Sequence, residues 1–194
     1  MTAAVSPHPA MRRPVPRSKA YLLWGLVALL QLGLIAVPLI DRLQVQMTGE
    51  EVTLELMPID PRDLLRGDYV IVNPAIRTLP DTLPGAEGSI APGETIYVGL
   101  SAGPDGIARP QAVSRDRDRL GPLAIAGQVV DRTSADLRID YGIDAFFLTE
   151  GAGKEIEALP ADRVRLVIAL TEDGRSLPLR LLVDGVPVKS DGAF

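Results

Sequence analysis

The chain has no cysteine and a single histidine, His8. Without cysteine there is no disulfide framework, no thiolate nucleophile and no cysteine-based zinc site. His8 lies among Pro7, Pro9, Pro14 and Pro16, so neither a folded histidine base nor a histidine-held metal is expected. Aromatic residues make up only 4% of the chain, which leaves few large side chains to anchor a core. Acidic residues are missing from positions 1–40, where Arg12, Arg13, Arg17 and Lys19 stand. Residues 41–194 therefore hold all 25 acids against 16 of the 20 cations. An acidic domain behind a basic tail argues against nucleic acid as its partner.

What is present is a globular composition, 194 residues with 46% hydrophobic. That suffices for one domain with a real core and is too short for two large ones. Ahead of it lies Ala20 to Ile40, 21 residues without a formal charge. As a helix this run spans roughly 31 Å, close to the thickness of a hydrocarbon core. Tyr21 and Trp24 fall on its first turn, where amphipathic rings favour the headgroup region, and Gln31 is its one strongly polar side chain. The run is longer than the apolar region of a signal peptide, and no Ala-x-Ala site follows it, since Leu34 stands two residues before Ala36. An uncleaved anchor is expected, with the lipid bilayer as partner of residues 20–40. Cations precede the run and only Asp41 and Arg42 follow at once. The positive-inside bias then puts residues 1–19, a disordered basic tail, in the cytoplasm and 41–194 across the membrane.

Residues 41–194 show the alternation of strands. Val52, Leu54 and Leu56 fall on one face of Glu50–Met57, with Thr53 and Glu55 on the other. Asp60 to Gly67 predicts a short helix: Asp60 caps it, Pro61 suits its first position and Gly67 ends it. Asp68–Asn73 and Ile96–Leu100 are strand candidates, and the Gly- and Pro-rich residues 77–95 are expected to be a loop. Leu123–Val130 and Leu137–Tyr141 are expected to pair around a polar turn, and Phe146–Thr149 is another short strand. Gly151–Leu159 predicts a second short helix. Val164–Leu170 and Leu177–Val183 alternate around Glu172-Asp-Gly174, which is a hairpin signal, and Pro178 belongs at an edge or near a strand start. Asp184-Gly185 turns into a last short strand, Val186–Val188. The expected fold is mainly β, a β-rich sandwich or partly open barrel with one or two short helices, preceded by one transmembrane helix.

Candidate chemistry is thin. Asp60, Asp63 and Asp68 lie close together, but helix capping accounts for two of them and the spacing of a calcium loop is absent. Glu150-Gly-Ala-Gly-Lys154 lacks the first glycine of a phosphate loop, and Glu155 stands where Ser or Thr is required. Tyr69, Tyr141, Phe146 and Phe147 are most of the domain's aromatics. They are expected as core anchors, or else as a docking patch. No enzyme activity, cofactor or metal is expected.

Gly67-Asp-Tyr-Val-Ile-Val-Asn73 resembles the Gly-Asp-x-Val-x-Val strand of type I signal peptidases, yet Ile59 stands at the position of their serine. Gly67, Asp68 and Tyr69, followed by Val72 and Pro74, more closely resemble the motif that names the GDYXXLXY proteins, bacterial membrane-anchored proteins of uncharacterised activity. Val72 replaces the motif leucine and Pro74 the final tyrosine. The lead-in from Pro58 through Asp60, Pro61 and Arg62 to Arg66 is similar to the usual setting of that motif. A second block of the family is matched by Tyr141-Gly142-Ile-Asp-Ala-Phe146-Phe147-Leu-Thr-Glu150-Gly151. The resemblance implies a bacterial inner-membrane protein with a periplasmic or extracellular domain. It also implies an accessory role beside a multi-pass membrane protein. A carboxylate-based hydrolase or glycan-binding domain is the alternative, because glycosidic chemistry needs only two acids at a suitable distance.

Overall fold

The computed structural model describes residues 17–57, 69–147 and 159–188. The chain divides into two compact units between Asp41 and Arg42. The first is built on helix α1 (Arg17–Thr48), whose stretch from Tyr21 is long and apolar enough to cross a membrane. Its large side chains, among them Leu22, Leu26, Leu30 and Leu34, are exposed. The helix runs past Ile40, where the uncharged run ends. Residues 41–48 contain no Gly or Pro, so nothing stops it before Gly49, whose N–H closes on the Val45 carbonyl at 2.9 Å.

The second unit takes in the end of α1 from Arg42 and is otherwise built of β-strands and short 3₁₀ turns among the described residues. Five strands pair antiparallel in the order β3 (Thr78–Pro80), β7 (Asp136–Asp140), β6 (Ala124–Arg132), β4 (Thr95–Ala102), β5 (Ala108–Ser114). Four more form the order β1 (Glu50–Glu55), β9 (Val164–Leu170), β10 (Ser176–Val183), β11 (Val186–Pro187). A parallel bridge from Thr53 to Ile107 joins the two sheets at the β1 and β5 edges. The turn of the β9–β10 hairpin is tied to β6 by Ala126 N–H donating to the Gly174 carbonyl at 2.8 Å. The result is a nearly closed, barrel-like sheet, with bulges at Gly99/Leu100, Val129/Asp131 and Pro178/Arg180 that add the bending closure needs. Leu54, Ile96, Ile125, Ile139, Leu166 and Leu181 fill the interior, from the inward positions of the alternating strands.

The mainly β class, the β6–β7 pairing and the closing hairpin are as the sequence predicts. Pro178 faces β9 at the start of β10, upstream of the two residues that pair with β11, so its missing N–H is tolerated. Two elements differ. The segment 77–95, expected as a loop, opens with β3, which follows a 3₁₀ turn at Ala75–Arg77. Strand β5 has no clear alternation, because Pro110 sits where its register with β4 shifts. The helix expected over Asp60–Gly67, and most of that over Gly151–Leu159, lie outside the described residues. Inside them the short helices are 3₁₀ turns at Ala75–Arg77, Arg117–Arg119 and Ala161–Arg163.

Candidate functional site

The two sequence blocks meet. Strand β2 (Tyr69–Ile71) pairs antiparallel with β8 (Ala145–Phe147), which sets Tyr69 opposite Phe147 and Val70 opposite Phe146. The ladder continues as Val72 N–H donates to the Asp144 carbonyl at 2.8 Å, and the Val72 side chain is buried. One residue further on, the Asn73 carbonyl accepts from Met57 N–H at 2.7 Å, which ties the first block to the end of β1. Segments some seventy residues apart in sequence are thus fixed to one another by backbone hydrogen bonds.

Tyr141 fastens them a second time. Its hydroxyl donates to the Ile76 carbonyl at 2.9 Å, just downstream of the first block. Burial raises the phenol's pKa from its ordinary 10.0, so it remains a donor at any physiological pH. The ring lies beside Gly127 of β6, where a Cβ would stand 2.7 Å from Tyr141 Cδ1 and 2.4 Å from Ile139 Cγ2. Only glycine leaves that space. Gly142 follows with φ +69°, and its N–H donates to Asp140 Oδ1 at 2.9 Å, an Asx turn that aims the chain into β8.

Between these pieces lies a small crevice lined by Pro74, Arg77, Asp140, Tyr141, Ile143 and Asp144, with about 10 Å³ of free space. That is room for about one water molecule and not for a sugar ring. Two carboxylates line it, but the Asp140 oxygen already holds the turn. Among the described residues, no group of three or more Asp, Glu, His or Cys could hold a metal ion. Several other carboxylates face arginines on the surface. Arg109 holds the Asp105 carboxyl well below the usual range, through bonds of 2.6 and 3.0 Å. Arg180 of β10, reaching across β9, lowers the pKa of Glu51 of β1 by hydrogen bonding to its carboxylate. Among the described residues these contacts fasten one segment to another.

A family model described as GDYXXLXY protein matches residues 31–181. The chain belongs to the GDYXXLXY family. No curated protein and no solved structure matches it. Of the family-motif residues read from the sequence, Tyr69, Val72, Tyr141, Gly142, Phe146 and Phe147 lie in or beside the ladder. Asp60, Pro61, Arg62, Gly67, Asp68, Glu150 and Gly151 lie outside the described residues. Sequence reasoning missed Ile76, Gly127 and Asp140. An isolated glycine inside a strand and an Asp two residues before a glycine are signals for the last two. A residue that contributes only a carbonyl, as Ile76 does, leaves no trace in sequence.

Proposed function

We propose that this GDYXXLXY protein is a single-pass protein of the bacterial inner membrane. Its N-terminus is cytoplasmic, and its β-domain stands on the periplasmic or extracellular side. There the domain binds or steadies a multi-pass membrane partner, without catalysing a reaction itself. The observation that carries the reading is the long apolar helix α1, with four cations before its uncharged run and an acidic β-domain after it. The crevice beside the ladder of β2 and β8, among the described residues, has room for about one water molecule, which favours a structural use of that ladder over a substrate cleft at that point.

Protease added to intact spheroplasts is expected to remove the β-domain; survival of the domain until the bilayer is broken would refute the orientation. Crosslinking in native membranes followed by affinity capture is expected to recover a multi-pass protein together with the chain. Recovery of the chain without any other integral membrane protein would refute the partner.

A further inference from the structure

Four cations stand at one end of the apolar run. Arg12 and Arg13 precede α1 in the sequence, and Arg17 and Lys19 belong to it. The positive-inside bias uses such charges when the helix is inserted, but the finished protein still carries them and they still need counter-charge. Positions 1–40 hold no acid. The first, Asp41, is on the same helix as Lys19 but roughly 33 Å further along it, about the thickness of the hydrocarbon core. In the membrane-spanning reading the acids of the β-domain lie beyond the bilayer as well. The negative charge nearest to these cations is therefore that of lipid phosphate.

The neighbouring side chains place them at that depth. Lys19, Tyr21 and Trp24 are exposed, and tyrosine and tryptophan rings favour the headgroup region. Long Lys and Arg stems carry their charged heads outward to the same layer. A zwitterionic headgroup brings its own cation to balance its phosphate, whereas an anionic headgroup brings one unbalanced negative charge. Four fixed positive charges at positions 12–19, with no acid among them, select the second kind.

We propose that Arg12, Arg13, Arg17 and Lys19 gather anionic phospholipids around the N-terminal end of α1. The proposal rests on the membrane-spanning reading of α1 and on no protein partner.

Trp24 is the only tryptophan in the chain and lies about 8 Å past Lys19 along the helix. Its quenching by brominated acyl chains therefore reports which lipids touch this end. The full chain is placed in vesicles of phosphatidylcholine with a minor share of phosphatidylglycerol, and one lipid or the other carries the bromine at equal mole fraction. Phosphatidylglycerol is expected to win contact with Trp24 about twofold over phosphatidylcholine, and the preference should shrink in high salt. The combined variant Arg12→Gln, Arg13→Gln, Arg17→Gln and Lys19→Gln is expected to abolish it. Trp24→Phe with Leu39→Trp moves the reporter to the other end of the apolar run, where no preference is expected. Equal quenching by the two lipids at Trp24, a preference that survives the four glutamines, or the same preference at position 39 overturns the proposal. Flotation keeps the two readings apart. A chain that does not float with the vesicles refutes the anchor, whereas one that floats and shows equal quenching refutes only the lipid selection.

Discussion

Replacing Tyr141 by phenylalanine removes one oxygen and keeps the ring in the space that Gly127 provides. The lost contact is the 2.9 Å bond to the Ile76 carbonyl, which joins segments 65 residues apart. A neutral hydrogen bond contributes about 1 kcal/mol net, and a buried acceptor left without a donor costs about 1–3 kcal/mol. Tyr141→Phe is therefore expected to lose about 1–2 kcal/mol, or roughly 3–6 °C in Tm for a domain of this size. Tyr141→Ala, which also empties the ring's space, is expected to lose about 3–5 kcal/mol. Urea unfolding of the whole chain in mild detergent, followed by far-ultraviolet circular dichroism, measures both.

The pH dependence gives this prediction its second arm. Burial raises the Tyr141 pKa in the folded state above the ordinary 10.0. The unfolded chain therefore loses this proton first as pH rises. The associated stability is complete below pH 10 and is lost above it. Tyr141→Phe has no such group, so the gap between wild type and variant should narrow as pH climbs past 10. Equal stability of the two proteins at pH 7, or a gap that widens in alkali, would refute the fastening role of the hydroxyl.

Three other outcomes follow from the same geometry. Gly127→Ala forces its new Cβ against Ile139 and Tyr141 and should lose about 1–3 kcal/mol; an unchanged urea midpoint would show that the space is not needed. Gly142→Ala meets no atom within 4 Å but must adopt φ +69°, so it should lose about 1 kcal/mol, and Gly142→Asn less, in the same assay. Arg180, Arg115, Arg109 and Arg163 hold Glu51, Glu94, Asp105 and Asp184 below their ordinary pKa values, and the Thr171 hydroxyl with Arg175 does so for Asp173. Their contribution is present above about pH 4 and lost as pH falls below it, so thermal melts should decline toward pH 2 and the decline should shrink in high salt; melts flat from pH 5 to pH 2 would contradict it.

Strand β9 is legible in the sequence from the spacing of Val164, Leu166, Ile168 and Leu170, although Val167 and Ala169 between them are buried as well. Strands β6 and β7 are legible because inward residues such as Val129 and Ile139 alternate with outward ones, which is the signal that period-2 reasoning detects. Strand β5 escapes it. Only Ala108 and Val113 are buried there, and the register shift opposite Leu100 moves them out of phase. Strand β3 is three residues long, too short to show any period. The end of α1 was hidden for a different reason. Charge ends the apolar run at Asp41, but Asp and Arg are tolerated in a helix, and the backbone continues to the first breaker, Gly49.

The candidate site divides along the same physical line. Its two blocks were visible as a family resemblance, but their mutual pairing was not, since backbone ladders between strands of three residues carry no side-chain code. The pairing explains which departures from the family motif the chain tolerates. Val72 stands where the motif has leucine, in an enclosed position that needs an apolar side chain; valine supplies one at the loss of a methylene. Pro74 stands where the motif has tyrosine, and proline cannot donate to a ladder. Here the ladder does not ask it to. The last donation from the first block comes from Val72, Asn73 acts as acceptor for Met57, and the Pro74 carbonyl receives Arg77 N–H at 2.9 Å to start the 3₁₀ turn. That turn carries Ile76, whose carbonyl the Tyr141 hydroxyl binds. A proline with φ fixed near −60° therefore ends the strand where the chain must bend to reach the second block. The backbone donor that the substitution removes is one this strand has no use for.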